Sequence, residues 1–114
     1  MALKLEEQKV DEGKRVLKLV GSVDQNTYER LEDYLTKAFE QGFQIVVLDC
    51  SELTYMSSAG IGVVLWAFSR SRKLNAKVVM AGVCKGVLHS LAVLGVEKLI
   101  PMAPDVAEAL KLAP

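Results

Sequence analysis

Val46-Val47-Leu48-Asp49-Cys50-Ser51-Glu52-Leu53-Thr54-Tyr55-Met56-Ser57-Ser58-Ala59-Gly60-Ile61-Gly62 is the stretch that orders the rest of this 114-residue chain. Its β-branched apolar start reads as a strand covered on both faces. A polar connection follows, then two adjacent serines, then small residues that open a helix. That order sets hydroxyls at a helix N-terminus, where unpaired N–H groups and the positive dipole end favour an anionic oxygen. Two readings of the serines stand side by side. A capping serine stabilises a helix by about 1 kcal/mol over alanine; a serine that carries phosphate is a switch. Gly60 and Gly62 bear on the choice, because each is about 1 kcal/mol worse than alanine inside a helix. Helix stability does not call for them. Close approach does, whether by a partner chain, a nucleotide, a neighbouring loop or the sheet beneath the helix.

Working toward the N-terminus, Leu3, Leu5 and Val10 lie on an irregular alternating segment. Asp11-Glu12-Gly13 offers a turn, and 16–20 resumes as a strand, so the chain opens with a hairpin. Gly21-Ser22-Val23-Asp24 breaks that strand, and Asp24, Asn26 or Thr27 can cap the helix that follows. From Tyr28, apolar residues recur at Leu31, Leu35, Ala38 and Phe39, a helical period that Gln41-Gly42 ends.

Toward the C-terminus the pattern predicts a helix over 59–73, a buried strand over 78–81, and a short helix over 86–94 closed by Gly95. A last strand is expected over 98–100 and a terminal helix over 104–112, with Pro104 in its first turn. The alternation after the hairpin implies an α/β domain with a mixed, mostly parallel sheet flanked by four α-helices. No repeat, low-complexity tract or linker divides residues 1–114, which read as one domain.

Fourteen basic residues balance fourteen acidic ones, so the net charge of zero leaves no electrostatic footprint for nucleic acid or an anionic membrane. The N-terminus is charged and lacks the apolar block of a signal peptide, and the apolar stretches are too short to span a bilayer. Cys50 and Cys84 then read as two small buried thiols rather than a disulfide, and the expected location is cytoplasmic.

The residues needed for most enzymes are missing. His89 is the only histidine, and it forms no helical pairing with a carboxylate. Cys50, Cys84 and His89 lack the close-spaced pair that a zinc site uses. Gly60-Ile61-Gly62 has no third glycine for a dinucleotide fingerprint, and Lys85 precedes Gly86 instead of following it as in a phosphate loop. Ser58 has no Gly-x-Ser-x-Gly elbow around it and no base within view except His89. The expectation is a non-enzyme with no metal and no cofactor.

The strand that ends in Asp, then Leu53-Thr54-Tyr55-Met56, then Ser57-Ser58-Ala59-Gly60-Ile61-Gly62, resembles the signature of STAS domains, and within them the bacterial anti-sigma factor antagonists. The resemblance covers essentially the whole chain, including Gly21-Ser22-Val23-Asp24, which is similar to the family's Gly-x-x-Asp. It implies a partner-switching protein. Unphosphorylated, such a protein binds an anti-sigma factor that is also a serine kinase. Phosphorylation at this junction, which falls on Ser58, weakens the complex, and a metal-dependent serine phosphatase restores it. One position departs from the pattern: Ser57 stands where the family usually carries Asp. That substitution leaves open a different kinase geometry, a shared acceptor role for Ser57, or binding without phosphorylation.

The partner-facing residues implied are Asp24, Ser57, Ser58, Ala59, Gly60, Gly62 and Trp66. Asp24 faces the junction if the sheet brings its turn there, and otherwise caps the first helix. Trp66 projects from the helix side shared with Gly62 and Val63, so it either anchors a partner or packs on a neighbouring helix. Two other functions remain in play, a sensor binding a nucleotide or small ligand and a scaffold subunit whose serines serve only as caps.

Overall fold

Leu3–Lys9 (β1) and Lys14–Val23 (β2) pair antiparallel in the opening hairpin, with Leu3 opposite Gly21 and Lys9 opposite Arg15. At its turn Asp11 Oδ1 accepts from the Gly13 N–H at 2.8 Å, a local bond characteristic of turn aspartates. The computed structural model describes residues 2–112.

β2 does not break at Gly21. The strand continues to Val23 because Gly21 adopts φ +107°, where a Cβ would collide with the Ala2 carbonyl oxygen. Only a residue without a side chain carries the ladder through such a point.

Ile45–Met56 (β3) is longer than the apolar run that announces it: the polar connection is itself strand. Its outer half pairs in parallel with the extended end of β2, Gly21 with Leu53, Ser22 with Tyr55 and Val23 with Met56. The pairing steps from Lys18–Asp49 to Val20–Glu52, and from Gly21–Leu53 to Ser22–Tyr55, so β3 spends an extra residue at each step. Those bulges explain the burial. Cys50, Leu53 and Met56 are spaced by three, which strict alternation would send to opposite faces, yet all three enter the same core cluster.

Lys77–Ala81 (β4) and Met102–Ala103 (β5) complete a five-stranded sheet in the order β1-β2-β3-β4-β5, parallel from β2 onward. The last strand is displaced from its expected place. Residues 98–100 lie in a turn closed by Leu99 N–H to Val96 O at 3.0 Å, and ladder contact starts at Pro101, whose carbonyl accepts from Met80 N–H. Ile100 is a core plug while Leu99 is exposed, and proline has no N–H to extend the ladder backward.

Four helices flank the sheet among the described residues. Tyr28–Glu40 (α1), Ser58–Lys73 (α2) and Lys85–Val93 (α3) cover one face, over a core that includes Leu19, Leu31, Leu35, Leu48, Val64 and Leu91. Val106–Leu110 (α4) covers the other, where Ala109 meets Val16, Ile45, Val47 and Val79. Each fully buried aliphatic side chain of this kind stabilises the fold by about 1.5 to 3 kcal/mol. α4 is shorter than the expected 104–112. Asp105 caps it by accepting from Glu108 N–H at 2.8 Å, which places Pro104 before the cap instead of in the first turn.

At the opposite end of the sheet Arg15 lies over the Phe43 ring at 3.7 Å and bonds Glu7 at 2.7 Å. The Tyr34 hydroxyl donates to the same carboxylate at 2.5 Å, tying α1 to the hairpin. Burial, then that bond to Glu7, pushes the Tyr34 phenol well above its usual range.

Candidate functional site

β2, β3 and β4 run in parallel, and all three end at one edge of the sheet. β2 leads there into the turn at Asp24, β3 into the serine pair, and β4 into the loop before α3. The carboxyl edge of a parallel sheet is where such folds gather their binding groups.

Ser57 is held by three backbone or capping contacts. Its N–H donates to Val23 O at 2.8 Å, its carbonyl accepts from Ile61 N–H at 2.9 Å, and its Oγ accepts from Gly60 N–H at 3.4 Å. It is the N-cap of α2, in extended conformation. Ser58, the first helical residue, is exposed, and no hydrogen bond to another described residue holds its hydroxyl. The capping role that the sequence leaves to either serine thus falls to Ser57.

Gly60 requires a correction. It is buried, and a Cβ there would sit 2.7 Å from Val23 Cγ1 and 2.9 Å from Met56 Cγ. Its missing side chain lets α2 lie tight on the ends of β2 and β3, so its small size serves the domain's own packing. Gly62 is the reverse case: exposed, with nothing within 4 Å of a would-be Cβ. Ala59, just before Gly60, is half-buried.

The Ser57–Val23 bond also places Asp24 beside the junction, since Asp24 follows Val23 directly. Asp24 does not cap α1 through its side chain. Its Oδ1 accepts from Asn26 N–H at 2.9 Å, and Thr27 Oγ1 accepts from Asp24 N–H at 2.9 Å while donating to Ser22 O at 3.0 Å. The carboxylate closes the turn before the helix and stays half-buried.

Trp66 lies two turns along α2, about 12 Å from Ser58 at 1.5 Å per residue. Its ring meets Phe39 of α1 edge-on, with centroids 6.1 Å apart, and 37% of the residue remains exposed. It lines a groove of about 250 Å³ between α1 and α2 together with Phe39, Arg70 and Leu74. The packing reading of Trp66 therefore holds for one side of the ring, and the other side is exposed.

A second cleft, of about 260 Å³, adjoins the serines. Tyr55, Ser57, Ser58 and Ile61 line one wall, and His89, Val93 and Leu94 the other. Its rim is apolar and open: Tyr55 is 52% exposed, Val93 70% and Leu94 52%. Sequence reasoning missed this wall. The available signal was that Lys85–Val93 carries more apolar residues than its buried pair, Val87 and Leu91, needs.

Cys50 is buried, which pushes its thiol up to about 12 from an ordinary value near 9, with the neighbouring Asp49 charge adding to the effect. Cys84, expected to be buried, is instead exposed, because it caps the start of α3 at the sheet's edge, and its thiol faces Leu53 O at 3.6 Å. Among the described residues no group of three or more His, Cys, Asp or Glu is placed to hold a metal ion, and no helix is long and apolar enough to cross a membrane.

Residues 6–109 match the family model described as the STAS domain. BtrV of Bordetella bronchiseptica, named as a candidate anti-sigma factor antagonist, is 32% identical over 101 residues, which span 89% of this chain and 86% of that protein. Among solved structures, an anti-sigma factor antagonist from Mycobacterium paratuberculosis superposes with TM-score 0.79 at 20% identity, covering 96% of this chain and 92% of that one. The antagonist SpoIIAA superposes with TM-score 0.72 in its unphosphorylated form, at 20% identity and covering 96% and 94% of the two chains. Its phosphorylated form gives the same TM-score at 21% identity, covering 96% of each. At these identities the structures speak for the fold.

Proposed function

This chain belongs to the STAS domain family, in its anti-sigma factor antagonist branch, and from that premise we propose that it binds an anti-sigma factor through the junction after β3 and is released when Ser58 is phosphorylated. The partner is an anti-sigma factor with serine kinase activity, and a serine phosphatase reverses the modification. The kinase moves the γ-phosphoryl group of ATP to Ser58 Oγ; ADP leaves, and the hydroxyl proton passes to a base on the kinase. The chain itself acts in the cytoplasm as a non-enzymatic, single-domain binding module.

The observation that carries this reading is the division between the serines. Ser57 is occupied as the cap, whereas the Ser58 hydroxyl is exposed and unheld beside an apolar rim. A phosphate there adds about −1.5 to −2 charge. The first turn of α2 tolerates an anion, so the fold persists, but a partner covering Tyr55, Val93 and Leu94 would have to desolvate that charge. Asp24, Ser57, Ala59, Gly62 and the open side of Trp66 extend the partner-facing surface. Ser57 in place of the usual Asp removes a negative charge next to the incoming phosphate. That makes the neighbouring cap, and not a carboxylate, what positions the acceptor.

Affinity capture from the native cell, with mass spectrometry of partners and of the peptide holding Ser57 and Ser58, tests the proposal. The expected result is an ATPase-type anti-sigma factor with phosphate on Ser58. A Ser58→Asp chain that captured the same factor as tightly as wild type would refute the switch. Tight capture with no modification of Ser58 would favour a constitutive scaffold.

A further inference from the structure

His89 has no part in the switch described above, yet it lines the same cleft as Ser57 and Ser58. It is exposed, and it is the chain's only histidine. Its own wall otherwise presents Ser90, whose hydroxyl is committed to Gly86 O at 3.2 Å, and apolar Val93 and Leu94. The facing wall brings Tyr55, Met56 and Ile61 around the serines. No lysine, arginine, aspartate or glutamate lines the cleft among the described residues, so its titratable groups are Tyr55 and His89. Lys85, one turn earlier on α3, is exposed outside it.

A phosphate on Ser58 would enter a space of about 260 Å³ whose rim is largely apolar. That is several times the roughly 30 Å³ that a water molecule occupies, so the group fits together with solvent. The imidazole is the one lining group able to meet it with a ring N–H and a full positive charge.

We propose that His89 holds the phosphate of phosphorylated Ser58 across this cleft. The inference rests on Ser58 being the acceptor. His89 is then a positioning residue: no bond is made or broken, and the held phosphate occupies the space that the partner would enter. Release follows from a filled cleft as well as from charge.

The test installs phosphoserine at position 58 of the full chain by genetic encoding, with no kinase involved. NMR then follows the single imidazole and the phosphorus nucleus through a titration across neutral pH. The imidazole midpoint is expected to rise by about half a unit or more relative to the unmodified chain, and the second ionisation of the phosphate to fall by a similar amount. His89→Gln raises the ionisation of the phosphate toward that of free phosphoserine, short of it by what the first turn of α2 contributes, whereas His89→Lys keeps it lowered. Superimposable imidazole curves with and without the phosphate overturn the proposal. Because the phosphate is installed, that outcome is separate from the cellular test of the switch, which fails if Ser58 is never modified there.

Discussion

The Ser57 N–H donates to the Val23 carbonyl at 2.8 Å, and this bond joins the end of β2 to the start of α2. It continues the β2–β3 ladder beyond Met56 and places the Asp24 turn beside the serine pair. The junction is thereby a hydrogen-bonded corner. An exposed hydroxyl sits on a framework whose capping contacts are already made.

Two glycines of α2 should respond oppositely to alanine. Gly60→Ala forces a methyl group against Val23 and Met56, and overpacking of this kind costs about 1 to 3 kcal/mol, more than the gain of about 1 kcal/mol in helix propensity. Gly62→Ala meets open space and should stabilise by up to about 1 kcal/mol. Urea denaturation of both variants checks the pair.

The two serines should separate stability from binding. Ser57→Ala loses the cap on Gly60 N–H and should cost about 0.5 to 1 kcal/mol, seen as a lower Tm. Ser58→Asp should leave Tm nearly unchanged while weakening the anti-sigma factor complex at least about tenfold, a difference of about 1.4 kcal/mol by calorimetry.

The thiols should differ in reactivity. Thiolate is the reactive species, so buried Cys50, raised to about 12, stays unmodified by a disulfide reagent at mildly alkaline pH while exposed Cys84 reacts. One thiol per folded chain, and two after denaturation, is the expected titre. Cys50 and Tyr34 both hold their protons more tightly folded than unfolded. Stability is therefore intact below about pH 9 and falls as pH rises from there toward about 12, measurable as an alkaline loss of Tm.

Trp66 reports on the extent of the interface. It is the only tryptophan and is 37% exposed, so its emission should shift to the blue when a partner covers it. Unchanged emission from a saturated complex would confine the interface to the cleft between α2 and α3.

Much of the fold was legible because the relevant signals are local. The periodicity of Leu31, Leu35, Ala38 and Phe39 and the stop at Gly42 place α1, and the run at Val46, Val47 and Leu48 announces β3. The errors arose where pairing between distant segments overrode local appearance. Gly21 reads as a breaker, but pairing with Leu3 on one side and Leu53 on the other holds it in the ladder. Glu52 and Thr54 read as a connection, but parallel pairing with the extended end of β2, across two bulges, makes them strand. Leu99 and Ile100 read as a strand, but the ladder needs the Pro101 carbonyl instead.

The stretch at 46–62 carried the resemblance to the family, and by itself it determined the order of strand, serines and helix, because spacing, capping residues and small side chains act over a few neighbours. It could not divide the roles of Ser57 and Ser58, nor decide whether Gly60 faces a partner or the sheet. Those answers depend on Val23 and Met56, which reach the junction from the ends of β2 and β3. Burial and hydrogen bonding are set by which segments the sheet brings together, and only the tertiary structure decided that.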